Sequence, residues 1–346
     1  MKITDFDYRL PQELIAQFPA KRRDESRLLI IERKTGRIKH GWFRDIAGMF
    51  TSADVLVLND TKVKPVRLIG DIEDKVIDIL LVERIKKNVY FIKAKPGKKL
   101  KPKTIIRFAE NKYSAVAVES DDARGQGMKL IEFKGELDIE SVLDEIGVMP
   151  LPPYIKREIV AADCARYQTV YAKSPGAIAA PTAGLHFTEQ ILDQIKEKNT
   201  GIVQLTLHVG LGTFLPVKVE DIRGHKMHKE SFELSPKTAV EIERVKHSGG
   251  RICAVGTTAA RVLETCAGEE ESFSLKPGKG QTDLFIYPPY KFKAVNMLLT
   301  NFHLPKTTLL MLVCAFASRE LVLEAYKMAV DEKYRFFSYG DAMLII

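Results

Sequence analysis

Apolar strand-like runs, each followed by a loop holding Gly, Thr, Asn or His, recur along this chain, at residues 55–58, 177–180, 203–209, 251–255 and 297–300. The stretch 177–217 organises the rest. Its apolar run 177–180 stops at Pro181, and a loop follows with Thr182, Gly184 and His186. Thr188 is suited to cap a helix, with Glu189 in the first turn and Ile191, Leu192 and Ile195 on one face. Gly201 ends that helix. Val203, Leu205, Leu207 and Val209 then alternate with Gln204, Thr206 and His208, the period of a strand. The pattern predicts a parallel strand–helix–strand unit with a right-handed crossover. Loops 181–187 and 210–214 would then lie at the carboxyl ends of their strands, where open α/β sheets bind ligands.

Elsewhere the pattern predicts a hairpin turn at Thr35-Gly36-Arg37 and a strand 55–58 ending in Asn59-Asp60-Thr61. A helix should open at Ser235-Pro236, and strand 251–255 should run into Gly256-Thr257-Thr258 and a helix. A strand is expected at 283–287, another at 297–300 ending in Asn301-Phe302-His303, two helices over 306–317 and 319–331, and a last strand 342–346. Between residues 64 and 149 the character changes to evenly spaced short strands with Gly, Asn and Asp turns, which predicts a small antiparallel β-barrel. The expected fold is therefore a layered α/β main domain with a mostly parallel sheet (1–63 and 150–346) carrying an inserted barrel (64–149).

Composition narrows the class. The longest apolar segment, 309–317, is about half the roughly 20 residues needed to span a bilayer. The N-terminus has acids where a signal peptide needs an apolar run. A cytoplasmic, non-membrane protein is expected, taken as a monomer. The four cysteines (Cys164, Cys253, Cys266, Cys314) are scattered without a CxxC pair, which suits reduced thiols. Net charge is +8, and its distribution matters more than its size. Residues 84–107 contain no acid but many bases, among them Lys93, Lys95, Lys98, Lys99, Lys101 and Lys103. These either blunt the edges of a solvated hairpin or form a footprint for a phosphate backbone.

Five polar loops follow apolar strands: 59–61, 182–186, 210–213, 256–258 and 301–303. If their strands share one sheet, the loops converge on one crevice. Gly256-Thr257-Thr258 opens a helix, so free N–H groups there suit a carboxylate. Gly210-x-Gly212 is only a fragment of a dinucleotide fingerprint, since no helix pattern follows it. Of the seven histidines, His186, His208, His225, His228 and His303 lie in or near these loops. His225 and His228 with Glu230 raise a metal reading, but the spacing is not the HExxH of zinc hydrolases and no metal is expected. Acid–base or hydrogen-bonding work is favoured for the imidazoles, with His208 best placed beside Thr206 on the strand's polar face.

At these loops the chain resembles the S-adenosylmethionine:tRNA ribosyltransferase-isomerase family of queuosine biosynthesis. The matching stretches run in order along the whole chain. They include Arg23-Asp24-x-Ser26-Arg27-Leu28, Leu58-Asn59-Asp60-Thr61-Lys62-Val63 and Tyr167-Gln168-Thr169-Val170-Tyr171. Further on come Pro181-Thr182-Ala183-Gly184-Leu185-His186-Phe187-Thr188, His208-Val209-Gly210-Leu211-Gly212-Thr213-Phe214, His225-x-Met227-His228-x-Glu230 and Gly256-Thr257-Thr258-x-x-Arg261. The last are Thr282-Asp283-Leu284-Phe285, Asn301-Phe302-His303-Leu304-Pro305 and Tyr339-Gly340-Asp341. One departure is Pro289, where the family pattern has glycine before the aromatic residue.

The resemblance implies an enzyme that transfers and isomerises the ribosyl group of S-adenosylmethionine. The acceptor is the aminomethyl group of 7-aminomethyl-7-deazaguanine at the tRNA wobble position. The product is epoxyqueuosine in tRNA, and adenine and methionine are released. On that reading His208 or His186 is the base or acid, and Asp60 and Asp283 bind ribose or the incoming amine. Thr257 and Thr258 hold the methionine carboxylate, with Arg261 paired to it. Thr182, Gly184, Gly210, Gly212, Thr213, Phe214, Gly256, Asn301 and His303 complete the co-substrate site. The Lys-rich insert, His225 and His228 face the anticodon loop, whose splayed base enters the crevice. Two rivals remain open: a metal-dependent hydrolase built on His225 and His228, and a non-catalytic RNA-binding module.

Overall fold

The computed structural model describes residues 1–97, 100–119, 127–136, 138–210, 212, 217–268 and 273–346. Among these, two compact units form: Met1–Lys62 with Pro152–Ile346, and Val63–Leu151.

The first unit begins with the hairpin of β1 (Arg27–Glu32) and β2 (Arg37–Trp42), turned at Gly36, whose φ of 70° favours glycine. β3 (Val55–Asn59) is buried at every position, as expected of a strand covered on both faces. β4 (Thr61–Val63) follows.

The second unit is a closed antiparallel barrel. Its strands are β5 (Arg67–Ile72), β6 (Lys75–Lys86), β7 (Val89–Lys95), β8 (Ile105–Phe108), β9 (Tyr113–Val118) and β10 (Lys129–Phe133). Alternate residues such as Leu68, Ile79, Ile92, Ile106, Ala117 and Ile131 fill it, and Ile139 and Leu143 of α1 (Ile139–Ile146) pack onto that core. Closure pairs every strand and so removes the sheet edges.

Back in the first unit come α2 (Ala161–Arg166), β11 (Ser174–Ala177), α3 (Glu189–Glu197) and β12 (Gly201–Leu207). Thr188 caps α3, accepting from Ile191 N–H at 3.2 Å. Next are β13 (Glu230–Leu234), α4 (Pro236–His247), β14 (Ile252–Val255), α5 (Thr257–Cys266), β15 (Gly278–Thr282) and β16 (Met297–Asn301). α6 (Thr308–Ala317), α7 (Arg319–Asp331) and β17 (Ala342–Ile345) complete the chain.

The main sheet runs β15-β13-β12-β3-β14-β16-β17-β1-β2. It is mixed: β12, β3, β14 and β16 pair in parallel, as do β17 and β1, while the remaining neighbours are antiparallel. Parallel strands are thus concentrated at the centre. On one face α3 and the 3-10 segment Phe43–Met49 cover Leu56, Leu58, Cys253, Val255, Met297 and Leu299. α4 and α5 pack against β12 and β14.

Two expectations need correction. Residues 177–180 do not form a strand of the main sheet. β11 ends at Ala177 and pairs with β4 in a separate two-stranded sheet, and the parallel partner of β12 is β3. Ala177, Ile178, Ala179 and Ala180 are nonetheless buried, with Ile178 N–H on Val209 O at 2.9 Å. Burial of small side chains, not ladder pairing, is what made that run apolar. Residues 283–287 are likewise not a strand, because β15 ends one residue earlier, at Thr282. The Thr282 and Leu284 carbonyls accept instead from Arg261, and Asp283 is exposed. No helix among the described residues is long and apolar enough to cross a membrane.

Candidate active site

The carboxyl ends of two adjacent parallel strands meet on one side chain. Asn59, at the end of β3 and fully buried, donates through Nδ2 to Leu207 O at 3.0 Å and to Thr258 Oγ1 at 3.1 Å. Its Oδ1 accepts from Leu207 N–H at 3.0 Å and Thr61 N–H at 3.2 Å. One amide therefore ties together the ends of β3 and β12 and the start of α5, using its donors and acceptor as a buried amide must.

Beside this knot lies a cleft of about 520 Å³, open at its mouth. Thr182, Gly256, Thr257, Thr258, Asn301 and His303, all expected at the site, line it. Gly256 has φ 90°, which explains the glycine before α5, and its N–H bonds Leu299 O at 2.7 Å. Thr257 and Thr258 begin α5, so their N–H groups have no partner within the helix. Val209, Phe302, Phe337 and Ser338 also line it. The loop 182–186 is pinned from behind by Phe187, fully buried with its ring 5.0 Å from that of Phe43.

The histidines divide by burial. His186 Nδ1 faces Ser26 Oγ at 2.7 Å and its Nε2 faces Asn301 Oδ1 at 3.2 Å. Asn301 Nδ2 already donates to Phe337 O at 2.9 Å. Its Oδ1 is thus the acceptor, and His186 is the Nε2–H tautomer accepting from Ser26. Burial lowers the His186 pKa to about 4, opposed by its bond to Asn301. His303 Nε2 meets Thr300 Oγ1 at 2.8 Å, and burial lowers its pKa to about 3. Both rings are neutral at physiological pH; His186 is bonded through both nitrogens, His303 through Nε2.

His208 differs. It directly follows β12, is half-buried, and meets Thr61 Oγ1 through Nδ1 at 2.8 Å. Nε2 makes no hydrogen bond among the described residues. Burial lowers its pKa, while Asp60 and Glu233 pull it back up. Asp60 accepts from Thr206 Oγ1 at 2.6 Å and Ser174 Oγ at 3.3 Å. Asp60, Thr61, Thr206, Ser174 and His208 form a polar cluster at the same sheet edge. Its neighbour Val209 lines the cleft, but His208 itself does not.

Other expected residues fall elsewhere. Arg261 is not available to a ligand carboxylate: it is 4% exposed and ion-pairs with Glu230. Glu230 also accepts from Gly210 N–H at 3.0 Å. Asp283 is exposed and outside the cleft lining. Gly184 backs onto Tyr171, since a Cβ there would fall 2.1 Å from the phenol oxygen, and Gly212 packs in the same way on the His228 ring at 2.6 Å. His225 lies edge-on to Phe285 at 5.2 Å. Among the described residues no three His, Cys, Asp or Glu side chains are grouped to hold a metal. Thr213, Phe214, Lys98 and Lys99 lie outside the described residues. In the barrel Lys95, Lys101 and Lys103 are exposed and Lys93 is half-buried.

Sequence reasoning missed Phe337 and Ser338. They reach the cleft through Asn301 Nδ2 on Phe337 O and Phe337 N–H on Phe302 O at 3.0 Å. The only sequence signal was the adjoining Tyr339-Gly340-Asp341.

A family model described as queuosine biosynthesis protein matches residues 3–345. A Halothermothrix orenii protein named S-adenosylmethionine:tRNA ribosyltransferase-isomerase is 48% identical over 351 residues, covering 100% of both chains. A Desulforamulus reducens protein of the same name is 49% identical with the same coverage. The crystal structure of S-adenosylmethionine tRNA ribosyltransferase from Thermotoga maritima is similar with a TM-score of 0.57 and 37% identity, over 99% of this chain and 100% of that one.

Proposed function

Because the chain belongs to the queuosine biosynthesis family, matched from residue 3 to residue 345, we infer that it is an S-adenosylmethionine:tRNA ribosyltransferase-isomerase. It moves and isomerises the ribosyl group of S-adenosylmethionine onto 7-aminomethyl-7-deazaguanine at the tRNA wobble position, releasing adenine and methionine. The observation that carries this reading locally is the cleft at the carboxyl edge of β12, β3, β14 and β16. There the end of β12 and the start of α5 are held together by Asn59.

A sulfonium acidifies the carbon–hydrogen bond beside sulfur, so the reaction calls for a base, an acid for departing adenine, and exclusion of water. His208 serves as the acid–base group: it is neutral near pH 7, with Nε2 left for proton transfer. Asp60, held by Thr206 and Ser174, binds ribose or the incoming amine. Thr257, Thr258 and the α5 N–H groups take the methionine carboxylate. His186 and His303 position the loops rather than exchange protons. A tRNA substrate favours work in the cytoplasm, and we take the protein as a monomer. The exposed lysines of the barrel supply backbone contacts.

Single-turnover adenine release from S-adenosylmethionine, with tRNA carrying the 7-aminomethyl-7-deazaguanine base, tests the reading. Adenine should appear only with that tRNA. Its absence under saturating conditions overturns the assignment.

A further inference from the structure

A second cleft, of about 270 Å³ counting its open mouth, shares Ser338 with the first. His186 lines this second cleft and bonds Asn301, which lines the first. Arg23, Arg166 and Arg335 face it together. Arg23 donates to Leu185 O at 3.0 Å and Ala165 O at 2.8 Å, and Arg166 to Lys21 O at 3.1 Å and Ala20 O at 2.7 Å. Neither meets a carboxylate among the described residues. The Arg166 Nε–H is buried with no hydrogen-bond partner. Only Arg335 has an acid, Asp341, at 3.4 Å. Burial lowers the Arg23 pKa and the Arg166 charge lowers it further. Cations thus crowd a small space whose own carboxylate count is too low.

The loop that walls this cleft, through Pro19 and Ala20, also carries Phe18, whose carbonyl accepts from Arg335 at 3.4 Å. Phe18 is 56% exposed, and Arg157 lies 4.2 Å from its ring centroid. Arg157 is neutralised by Asp163 at 2.7 Å, so it braces the ring and leaves little charge for a ligand. An exposed ring on the loop that walls a cleft lined by Arg23 and Arg166, neither with an anion among the described residues, is the chemistry of single-stranded nucleic-acid sites, where bases stack and phosphates pair.

We propose that this second cleft takes a backbone phosphate flanking the target nucleotide of single-stranded RNA, with a neighbouring base stacked on Phe18. The inference rests on the tRNA reading above and adds to it a subsite and its residues. It places the phosphate beside the reaction cleft, so that the sugar–phosphate chain is gripped while its base turns inward.

The test uses full-length protein and an anticodon stem–loop RNA, with binding followed by fluorescence anisotropy from low to moderate salt. Phe18→Ala should weaken binding roughly tenfold with little change in salt dependence. Arg166→Gln should weaken binding and reduce the slope of log affinity against log salt by about 0.7. Both variants should bind S-adenosylmethionine as the unaltered protein does, which shows that the fold and first cleft persist. RNA affinity and slope equal to wild type in both variants would overturn the subsite. Failure of the enzymatic reading itself would appear separately, as no adenine release by the unaltered protein.

Discussion

Arg261, on α5, ion-pairs with Glu230, the first residue of β13, with side chains 5% and 4% exposed. Glu230 reaches on to Gly210 N–H, and Arg261 to Leu284 O at 3.0 Å. One buried pair therefore fixes the strand ends and the loops after β12 and β15. Glu230→Ala should cost about 3–5 kcal/mol in urea unfolding, because it strands a buried guanidinium. Arg261→Met with Glu230→Leu should cost less than the sum of the single changes. Strict additivity would show that the pair is not the unit of stability.

Asn59→Ala removes both donors and the acceptor of the knot and leaves Leu207 N–H buried without its partner. A loss of about 3 kcal/mol is expected, with weakened S-adenosylmethionine binding as the Thr258 turn loosens. Calorimetric titration checks the second effect. Unchanged affinity would mean that α5 keeps its start without Asn59.

His208 sets the acid limb of kcat/KM if it transfers the proton. Its pKa is lowered by burial, so that limb should lie below the usual histidine value of about 6.5. His208→Gln should lower kcat by about 10²–10⁴ and remove the limb. A rate near wild type would exclude His208 from proton transfer.

His186 and His303 bear on stability instead. Their folded pKa values, about 4 and about 3, lie below the unfolded value near 6.5. The unfolded chain therefore binds protons first as pH falls. Stability is full above pH 6.5 and declines below it, by up to about 1.4 kcal/mol per pH unit for each ring, until the folded values are reached. Urea midpoints at pH 7, 6 and 5 should fall in that order, and His303→Gln should flatten the series.

Gly184→Ala should destabilise the protein by about 1–3 kcal/mol, since the new methyl would sit 2.1 Å from Tyr171 Oη and 2.8 Å from Thr169 Cγ2. Thermal melting of Gly184→Ala with Tyr171→Phe should recover part of the loss, because removing the hydroxyl opens the space. No recovery would place the clash elsewhere.

Local chemistry was readable along the chain. Alternation marked β12 and put Thr206 and His208 on one side; Thr188 and Ser235 marked helix starts; Gly256 marked the strand-to-helix turn. Spacing of short strands also marked the barrel. These signals are local because a period, a cap or a positive φ is set by neighbouring residues. Only the tertiary structure decided which polar groups remain for a ligand. It gave Arg261 to Glu230 and His186 to Ser26 and Asn301, bent 177–180 out of the sheet, and brought in Phe337 and Ser338. A buried donor or charge is claimed by whichever partner packing brings within reach, and those partners stand far off in the sequence, 160 residues for His186 and Ser26 and 199 for Asn59 and Thr258.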